Sequence, residues 1–173
     1  SGVIPDVWAF GKVLGGGLPV GAFGASREIM ANIAPLGPVY QGGTLSGNPL
    51  ATAAGLAVLS QLDDARYEEL AAIARRLGDG LVEAIGGAGV PVQVPVVGPL
   101  VGLFFADQPV RNYDDAKEAA GRGLYPAFFH GMLERGFALA PGPYEAIFPS
   151  LAHTGADIDR TIEAAAAVAD TLV

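Results

Sequence analysis

The sequence predicts an α/β protein that consists of two unequal parts. Two short apolar segments near the N-terminus have the composition of strands, and a glycine-rich loop separates them. Helical and strand-like patterns alternate along the rest of the chain. The composition changes near Asp64, so we place a domain boundary between residues 1–64 and 65–173. Two strands and one buried helix cannot complete a core, which indicates that the first part is the end of a larger domain.

The first part contains four predicted elements. Val7–Gly11 and Val20–Ser26 are apolar and short, as strands are, and the sequence GGGLP between them interrupts regular structure. Arg27–Ile33 follows as a short helix, for which Ser26 is a suitable N-cap. Asn48 is a suitable N-cap for a longer helix that extends to about residue 62, and the proline after it fits the first turn. This helix is apolar on nearly every side, which predicts that it is buried.

The second part begins with an amphipathic helix from Ala65 to the glycines at 86 and 87. One face carries apolar residues three or four positions apart, which is typical of a helix that packs on a core. These residues are Tyr67, Leu70, Ile73, Ala74, Leu77, Leu81 and Ile85. Val90–Val97 and Leu100–Ala106 are two predicted strands, and the Gly-Pro pair between them indicates a hairpin.

Three more helices and one strand complete the second part. The predicted helices are residues 114–119, residues 123–135 and a last helix that begins at Thr154. A glycine ends the second of them, and Phe137–Ala140 is a short predicted strand. Asp157 lies three residues after Thr154, which predicts a variant of the capping box.

Composition and charge exclude several classes of protein. The 173 residues are 51% apolar and 16% charged, which excludes an intrinsically disordered chain. The net charge of −8 leaves no basic face for nucleic acid. The absence of cysteine, together with only two histidines, argues against a metal site. We find no apolar run of about 18 residues and no signal peptide, so we expect a cytoplasmic protein without a membrane span.

Lys12 is the first candidate for chemistry. It follows an apolar strand and precedes three glycines, and no acidic residue lies within five positions of it. Apolar surroundings lower the pKa of a lysine and make its amine a nucleophile toward carbonyl compounds. A surface lysine in a loop is the alternative. Lys117, the other lysine, lies in the acidic segment DDAKEAA and is interpreted as a solvated helix residue.

The segment GGTLSGNP at residues 42–49 is the second candidate. Glycines and small hydroxyl residues directly before a helix can bind an anion, because free backbone N–H groups and the helix dipole favour negative charge. An ordinary glycine-rich turn with an asparagine cap explains the same residues.

Three further residues could act as acids or bases. His153, in SLAHT before the last helix, is either a base or a hydrogen-bonded structural residue. His130 lies in an aromatic helical segment and is interpreted as a packing or surface residue. Glu145 has apolar neighbours, and it either faces water in a loop or projects into a site.

The segment FGKVLGGGLPVGAFG at residues 10–24 resembles the cofactor-lysine segment of the class III aminotransferases, which are pyridoxal-phosphate enzymes of fold type I. The resemblance covers essentially the whole chain, and it implies the end of the large cofactor domain followed by the small C-terminal α+β domain. Within this class, the chain is most similar to the glutamate-1-semialdehyde 2,1-aminomutase family. The segments that carry this similarity are residues 37–51, 130–136, 144–148 and 150–154.

The resemblance implies a role for each of five residues. Lys12 matches the Schiff-base lysine, which binds the cofactor and then moves protons as base and acid. Gly43 and Thr44 match residues that bind the cofactor phosphate in the active site of the neighbouring subunit of a homodimer. Tyr40 matches a tyrosine that crosses the dimer interface toward the substrate, and Glu145 matches a glutamate near the cofactor, which we expect to contact the substrate.

The resemblance also implies an activity, the conversion of glutamate-1-semialdehyde to 5-aminolevulinate in tetrapyrrole biosynthesis. The cofactor would be pyridoxal 5′-phosphate, which alternates with its pyridoxamine form. The N-terminal half of the family has no counterpart in the chain, so we expect a fragment that lacks half of the active site. Gly142, Pro143, Tyr144 and Ile147 depart from the family pattern near the glutamate. Another class III (omega) aminotransferase and a non-catalytic small-domain module therefore stay open as alternatives.

Overall fold

The computed structural model describes residues 2–173. They form two compact units, of which unit 1 extends to Asp63 and unit 2 extends from Asp64 to Val173. The assignment of these units to the end of a large cofactor domain and to a small domain stays a prediction. Among the described residues, no helix is both long enough and apolar enough to cross a membrane.

Unit 1 begins with an antiparallel hairpin of two strands, β1 (Val7–Phe10) and β2 (Ala22–Ala25). In the register of this hairpin, Val7 lies opposite Ala25. Both predicted strands are confirmed, although each is shorter than predicted. The 3-10 turn Lys12–Gly15, here called the lysine turn, follows β1 after a single residue. The candidate lysine therefore lies at the end of a paired strand.

Two helices complete unit 1, and a polar side chain caps each of them as predicted. At the start of α1 (Arg27–Met30), the hydroxyl of Ser26 accepts a hydrogen bond from the N–H of Ile29 at 3.3 Å. At the start of α2 (Pro49–Leu59), Asn48 accepts hydrogen bonds from the N–H groups of the second and third helical residues, at 2.9 and 3.1 Å. These caps satisfy backbone donors that have no partner inside a helix.

The prediction that α2 is a buried helix is wrong for unit 1. Of its eleven residues only Ala51 and Gly55 are buried, whereas Leu50 is 72% and Leu56 is 64% exposed. The lysine turn packs on the face that contains Gly55. A two-stranded hairpin and one short turn offer too little apolar surface to cover the remaining faces. The apolar composition of a helix shows that its faces can be buried. Whether they are buried depends on apolar surface from other elements, which the helix sequence does not specify.

Unit 2, all of which is described, contains four helices and one two-stranded hairpin. In chain order these elements are α3 (Asp64–Gly87), β3 (Val96–Val97), β4 (Leu100–Val101), α4 (Tyr113–Gly121), α5 (Leu124–Glu134) and α6 (Gly155–Ala169). The predicted helices are thus confirmed. Helices α3 and α6 pack against each other, and an ion pair of 2.5 Å between Arg76 and Asp159 joins their exposed edges.

The core of unit 2 lies between α3, α5, α6 and the hairpin. Most of the predicted apolar face of α3 is buried there. Tyr67 is an exception, being 52% exposed. The reason is that α6 begins beside Arg76, about two turns further along α3, where Gly155 lies against the guanidinium. The largest fully buried side chains are Ile85, Val101, Phe128, Met132 and Val168.

The predicted hairpin around Gly98 is confirmed. Val96 pairs with Val101, and the same register continues to an isolated bridge between Gln93 and Phe104. Regular pairing is limited to the tip, so strands β3 and β4 have two residues each, where the sequence predicts seven or eight. Backbone hydrogen bonds further from the tip join Gln93 with Phe104, but the ladder between them and the tip is interrupted.

The predicted strand at Phe137–Ala140 is wrong, because these residues form no ladder. The N–H of Phe137 donates to the carbonyl oxygen of Met132 at 3.0 Å, which closes the end of α5. The free edge of β4 pairs instead with Ile147, which bridges Val101. Both segments are short and mostly apolar, as strands are, and only the tertiary arrangement selects the second.

Helix α6 begins with the predicted capping box. The backbone N–H of Asp157 donates to the hydroxyl of Thr154 at 3.2 Å, and the backbone N–H of Thr154 donates to the Asp157 carboxylate at 2.9 Å. The Thr154 hydroxyl also donates to that carboxylate, at 2.6 Å. The hydrogen bonds from the side chain and backbone of Thr154, followed by that from Arg160, lower the pKa of Asp157 to about 2.

We expect Thr154→Ala to raise the pKa of Asp157 toward its ordinary value of 3.8, because it removes the strongest of these hydrogen bonds. A carboxylate with a lowered pKa stabilises the folded state above its ordinary pKa, and this contribution is lost as the pH falls from about 3.8 through about 2. Carboxyl chemical shifts measured by NMR across this range would test the prediction. Thr171→Val, at the other end of α6, is the control. An unchanged Asp157 titration in the Thr154 variant would contradict it.

Candidate active site

Lys12 lies at the junction of strand β1 and the lysine turn, in a conformation that side chains rarely adopt. Its φ is +55°, and among the described residues no other non-glycine residue has a positive φ. Such a conformation costs about 1–2 kcal/mol for a residue with a Cβ. The side chain is exposed, and its ammonium has no hydrogen-bond or ion-pair partner within residues 2–173. Backbone strain at a residue whose ammonium has no polar partner is a reason to consider a functional role.

Two close backbone approaches hold the lysine turn against α2. A Cβ on Gly55 would lie 2.4 Å from the carbonyl oxygen of Leu14, and a Cβ on Gly16 would lie 2.7 Å from that of Ala54. Gly16 also has a φ of +58°, so glycine is required there for two reasons. The lysine turn therefore lies directly on the backbone of α2 at Leu14, two residues after Lys12.

The loop before α2 adopts the predicted asparagine-capped turn, and the Thr44 donors in it have no acceptor within residues 2–173. A backbone bond of 2.9 Å from Ser46 to Gly43 closes the turn. Asn48 occupies two donors of the first helical turn. The hydroxyl and the N–H of Thr44, by contrast, have no acceptor within residues 2–173, and Thr44 is exposed. These two groups are available to bind an anion.

Tyr40 is 86% exposed, and its ring lies beside the glycine at position 42. The phenol oxygen is 2.7 Å from where a Cβ on Gly42 would lie. A side chain at position 42 would displace the tyrosine, so glycine permits its present position. In the part of the chain that the structure describes, the Tyr40 hydroxyl has no hydrogen-bond partner.

Glu145 belongs to unit 2 and lies exposed in residues 141–146, which we call the acidic loop. Its carboxylate influences Tyr125, a residue that the sequence analysis did not select. Burial, and then the negative charge of Glu145, raise the pKa of Tyr125 above its ordinary value. The Tyr125 hydroxyl donates to the carbonyl oxygen of Ala140 at 2.6 Å. A tyrosine within the apolar pattern of α5 was the available signal, because a buried phenol needs a partner.

The two histidines have local explanations. Nδ1 of His153 accepts a hydrogen bond from the N–H of Ser150 at 3.0 Å and lies 3.0 Å from its hydroxyl. These contacts support the interpretation of His153 as a structural residue. His130 is exposed, and its ring meets the edge of Phe129 at 5.2 Å. Within residues 2–173, no cluster of His, Asp or Glu could hold a metal ion.

Unit 2 also contains a cavity of about 470 Å³ beside the acidic loop. Phe137–Ala140, Ala146–Pro149 and the first turns of α6 line it. The charged groups at its wall, Asp157 and Arg160, form an ion pair of 2.5 Å with each other. His153 also lies in this wall.

A family model described as Aminotransferase class-III matches residues 1–167 of the chain. The chain is 54% identical over 167 residues to "Glutamate-1-semialdehyde 2,1-aminomutase" of Desulfosudis oleivorans, and this alignment covers 96% of the chain and 39% of that relative. It is 52% identical over 164 residues to "Glutamate-1-semialdehyde 2,1-aminomutase 2" of Shouchella clausii, covering 95% and 38%. The chain thus spans about two fifths of the length of the curated relatives it matches.

Solved structures with the same fold include aminotransferases and an aminomutase. The chain matches an omega-transaminase from Sphaerobacter thermophilus with a TM-score of 0.85 and 29% identity, over 99% of this chain and 40% of that one. It matches a beta-phenylalanine aminotransferase from Variovorax paradoxus with a TM-score of 0.80 and 32% identity, over 96% and 38%. A glutamate-1-semialdehyde aminomutase from Pseudomonas aeruginosa PAO1 in complex with PMP gives 0.82 at 24% identity, over 99% and 40%, and so shows the fold alone. The predicted fold, part of a pyridoxal-phosphate enzyme of this type, is confirmed.

Proposed function

Because the chain belongs to the class-III aminotransferase family, we propose that it provides part of the active site of an enzyme that uses pyridoxal 5′-phosphate. We propose further that the reaction is the isomerisation of glutamate-1-semialdehyde to 5-aminolevulinate, in which no external amino donor is consumed. The observation that carries this proposal is the 54% identity to the aminomutase of D. oleivorans over 96% of the chain.

The chemistry of unit 1 fits this cofactor. A phosphate dianion needs hydrogen-bond donors and the absence of nearby negative charge. Thr44 offers two donors without a partner in residues 2–173, and Glu28 is the only acidic residue between Asp6 and Asp63. An aldehyde needs an accessible amine, and Lys12 offers one. Net charge is strongly negative for the whole chain, but this segment is nearly free of carboxylates.

Lys12 is the proposed catalytic residue. When bound, pyridoxal phosphate supplies an electron sink for the negative charge that develops on a substrate carbon when it loses a proton. The Nζ of Lys12 would hold the cofactor through its aldehyde carbon between turnovers. Once released, the same amine would act as base and acid, moving a proton between a substrate carbon and a cofactor carbon. The packing of the lysine turn on α2 positions the backbone from which this side chain extends.

Thr44 and Gly43 are proposed to bind the cofactor phosphate through the Thr44 hydroxyl and backbone N–H groups. On this proposal the enzyme is a homodimer, in which these residues serve the active site of the neighbouring subunit. Both residues are exposed, and the Thr44 hydroxyl and N–H have no acceptor within residues 2–173, which is compatible with contacts to a second subunit.

Tyr40 and Glu145 are proposed to bind the substrate. Tyr40 would reach the neighbouring site from the same loop as Thr44, and its hydroxyl is free to donate or accept. Glu145 provides a carboxylate, which accepts hydrogen bonds from an amino group. These hydrogen bonds are stronger when the amino group is a charged ammonium. The acidic loop would therefore contact the amino group that the reaction moves.

The test uses the natural protein with pyridoxal phosphate and borohydride, followed by mass spectrometry of the peptides. Reduction makes the bond between cofactor and lysine permanent, so we expect the cofactor mass on Lys12. The same protein, given glutamate-1-semialdehyde and no amino donor, should form 5-aminolevulinate. A protein without an adduct, or with the adduct on Lys117, would contradict the catalytic proposal and favour a non-catalytic module.

A second candidate is an aminotransferase of the same family that acts on another amine. It is favoured by the departures from the aminomutase pattern at Gly142–Tyr144 and at Ile147, and by the solved relatives, which include an omega-transaminase. This enzyme would consume an external amine and a keto acid in equal amounts. If the cofactor labels Lys12 but turnover requires both the amine and the keto acid, this second candidate is supported over the aminomutase.

A further inference from the structure

The acidic loop is attached at both ends to other elements of unit 2. At its start, the hydroxyl of Tyr125 donates to the carbonyl oxygen of Ala140 at 2.6 Å. At its end, Ile147 and Val101 exchange two backbone hydrogen bonds, of 2.8 and 3.1 Å. One attachment uses a side chain of helix α5, and the other uses the edge of strand β4.

Inside the acidic loop there is little to maintain its conformation. Over its six residues, all of them described, the one backbone hydrogen bond runs from the N–H of Glu145 to the carbonyl oxygen of Gly142 and measures 3.5 Å, which is long for a bond of this kind. The loop has no helix or strand of its own. Its shape, and with it the position of the Glu145 carboxylate, therefore depends on the attachments.

The attachment at the start of the acidic loop is made by Tyr125, a buried and therefore rigid side chain. Its residue is only 6% exposed, and Phe128 and Met132 on the same helix are fully buried. A ring packed into a core in this way has one position for its hydroxyl. The raised pKa of Tyr125 means that the phenol is protonated at neutral pH and donates the bond. The carbonyl of Ala140 thus meets a donor fixed by the core of unit 2.

A weaker contact supports the middle of the loop. The ring of Tyr144, directly before Glu145, lies 5.9 Å from the ring of Tyr113 at the start of α4. Lys117 lies 5.3 Å above the Tyr113 ring and pairs with Asp114. These side chains are largely exposed, so we assign them less effect than the buried phenol.

We propose that Tyr125 is a positioning residue for the substrate-binding role of Glu145. It acts by holding the carbonyl of Ala140, which sets where the acidic loop begins, and it does not touch the reacting atoms itself. This inference rests on the proposed function for the role of Glu145, but the attachment of the loop can be measured without it.

The first test measures hydrogen exchange in the natural protein and in Tyr125→Phe. The substitution keeps the ring in the core and removes only the hydroxyl. We expect the amides of Glu145 and Ile147, which are the hydrogen-bonded amides of residues 142–147, to exchange about five- to tenfold faster, as befits the loss of one hydrogen bond. Tyr67→Phe, which removes the hydroxyl of an exposed tyrosine on α3, is the matched control and should leave this exchange unchanged. Equal protection of the loop in both variants would overturn the proposal.

The second test is a double-substitution cycle on 5-aminolevulinate formation, with Glu145→Gln as the other variant. Alone, Tyr125→Phe should raise the KM for the semialdehyde about fivefold and change kcat less than about twofold. In the Glu145→Gln background it should change KM less than about twofold. Equal effects in both backgrounds would mean that Tyr125 does not act through Glu145. Cofactor absorbance should be the same in all four proteins, because Lys12 and Thr44 are intact.

The two tests separate this inference from the proposed function. If the natural protein forms no 5-aminolevulinate while Tyr125→Phe still loosens the loop, the aminomutase proposal fails and the attachment stands. The role of Tyr125 is then decided by repeating the cycle with the amine and keto acid of the second candidate function. If 5-aminolevulinate forms normally while the loop is unaffected by Tyr125→Phe, the positioning role fails and the function stands.

Discussion

Replacing Lys12 by alanine is expected to lower the rate of 5-aminolevulinate formation on the order of 10³-fold or more. The substitution removes both the amine that binds the cofactor and the group that moves the proton. Alanine also has a Cβ, so the strained backbone at φ +55° is retained and the loss is chemical. The measurement is steady-state turnover, combined with borohydride labelling of the variant, which should yield no adduct at position 12.

Two companion variants make this experiment decisive. Lys117→Ala removes the other lysine, whose amine pairs with Asp114 at 3.0 Å, and it should retain both turnover and the label on Lys12. Lys12→Gly should be inactive yet more stable than the natural protein by about 1 kcal/mol, because glycine adopts a positive φ without strain. Turnover within about tenfold of normal in Lys12→Ala would remove Lys12 from the mechanism.

Replacing Gly55 by alanine is expected to destabilise the protein by about 1–3 kcal/mol and to weaken cofactor binding. The added Cβ would lie 2.4 Å from the carbonyl oxygen of Leu14, so the lysine turn must move away from α2. A backbone carbonyl cannot rotate aside as a side chain can. Since Lys12 begins this turn, its amine should move with it. Thermal unfolding and titration with pyridoxal phosphate, followed by absorbance, measure the two effects.

The matched control is Gly86→Ala, at a helical glycine near the end of α3. A Cβ at this position meets nothing within 4 Å, so alanine should stabilise the helix by about 0.5–1 kcal/mol. The two substitutions make the same chemical change within a helix, at a buried glycine with a close approach and at an exposed glycine without one. A Gly55 variant that binds cofactor normally would show that α2 does not position the lysine turn.

Local patterns predicted those parts of the fold that depend on residues close in sequence. The caps at Ser26, Asn48 and Thr154 form as predicted, because a cap needs only a side chain and the N–H groups two or three residues later. The prediction of a strand at 137–140 was wrong. The edge of β4 pairs with Ile147 instead, and no local pattern shows which of the two segments forms this pairing. The burial of α2 failed for a related reason, since burial depends on a surface that no local pattern specifies.

The candidate site also has features that local sequence predicts and features that depend on tertiary structure. Lys12 could be selected from its sequence surroundings alone, because an isolated lysine between a strand and glycines is unusual. Its positive φ and its support by Gly55 could not be predicted, since Gly55 lies more than 40 residues away in the middle of an ordinary helical pattern. The roles of Thr44, Tyr40 and Glu145 depended on resemblance. The apolar pattern of α5 could have marked Tyr125 as a buried phenol, but its partner, the carbonyl oxygen of Ala140, could not be predicted.

The packing of α3 against α6 also determines when unit 2 can acquire its structure during synthesis. Arg76 and Asp159, which join these helices, are 83 residues apart. A ribosome that adds about 5–20 residues per second needs about 4–17 seconds to cover this distance. Throughout that interval the apolar face of α3 has no α6 to cover it. The nascent chain is therefore expected to present Leu77, Leu81 and Ile85 to chaperones before its own last helix emerges.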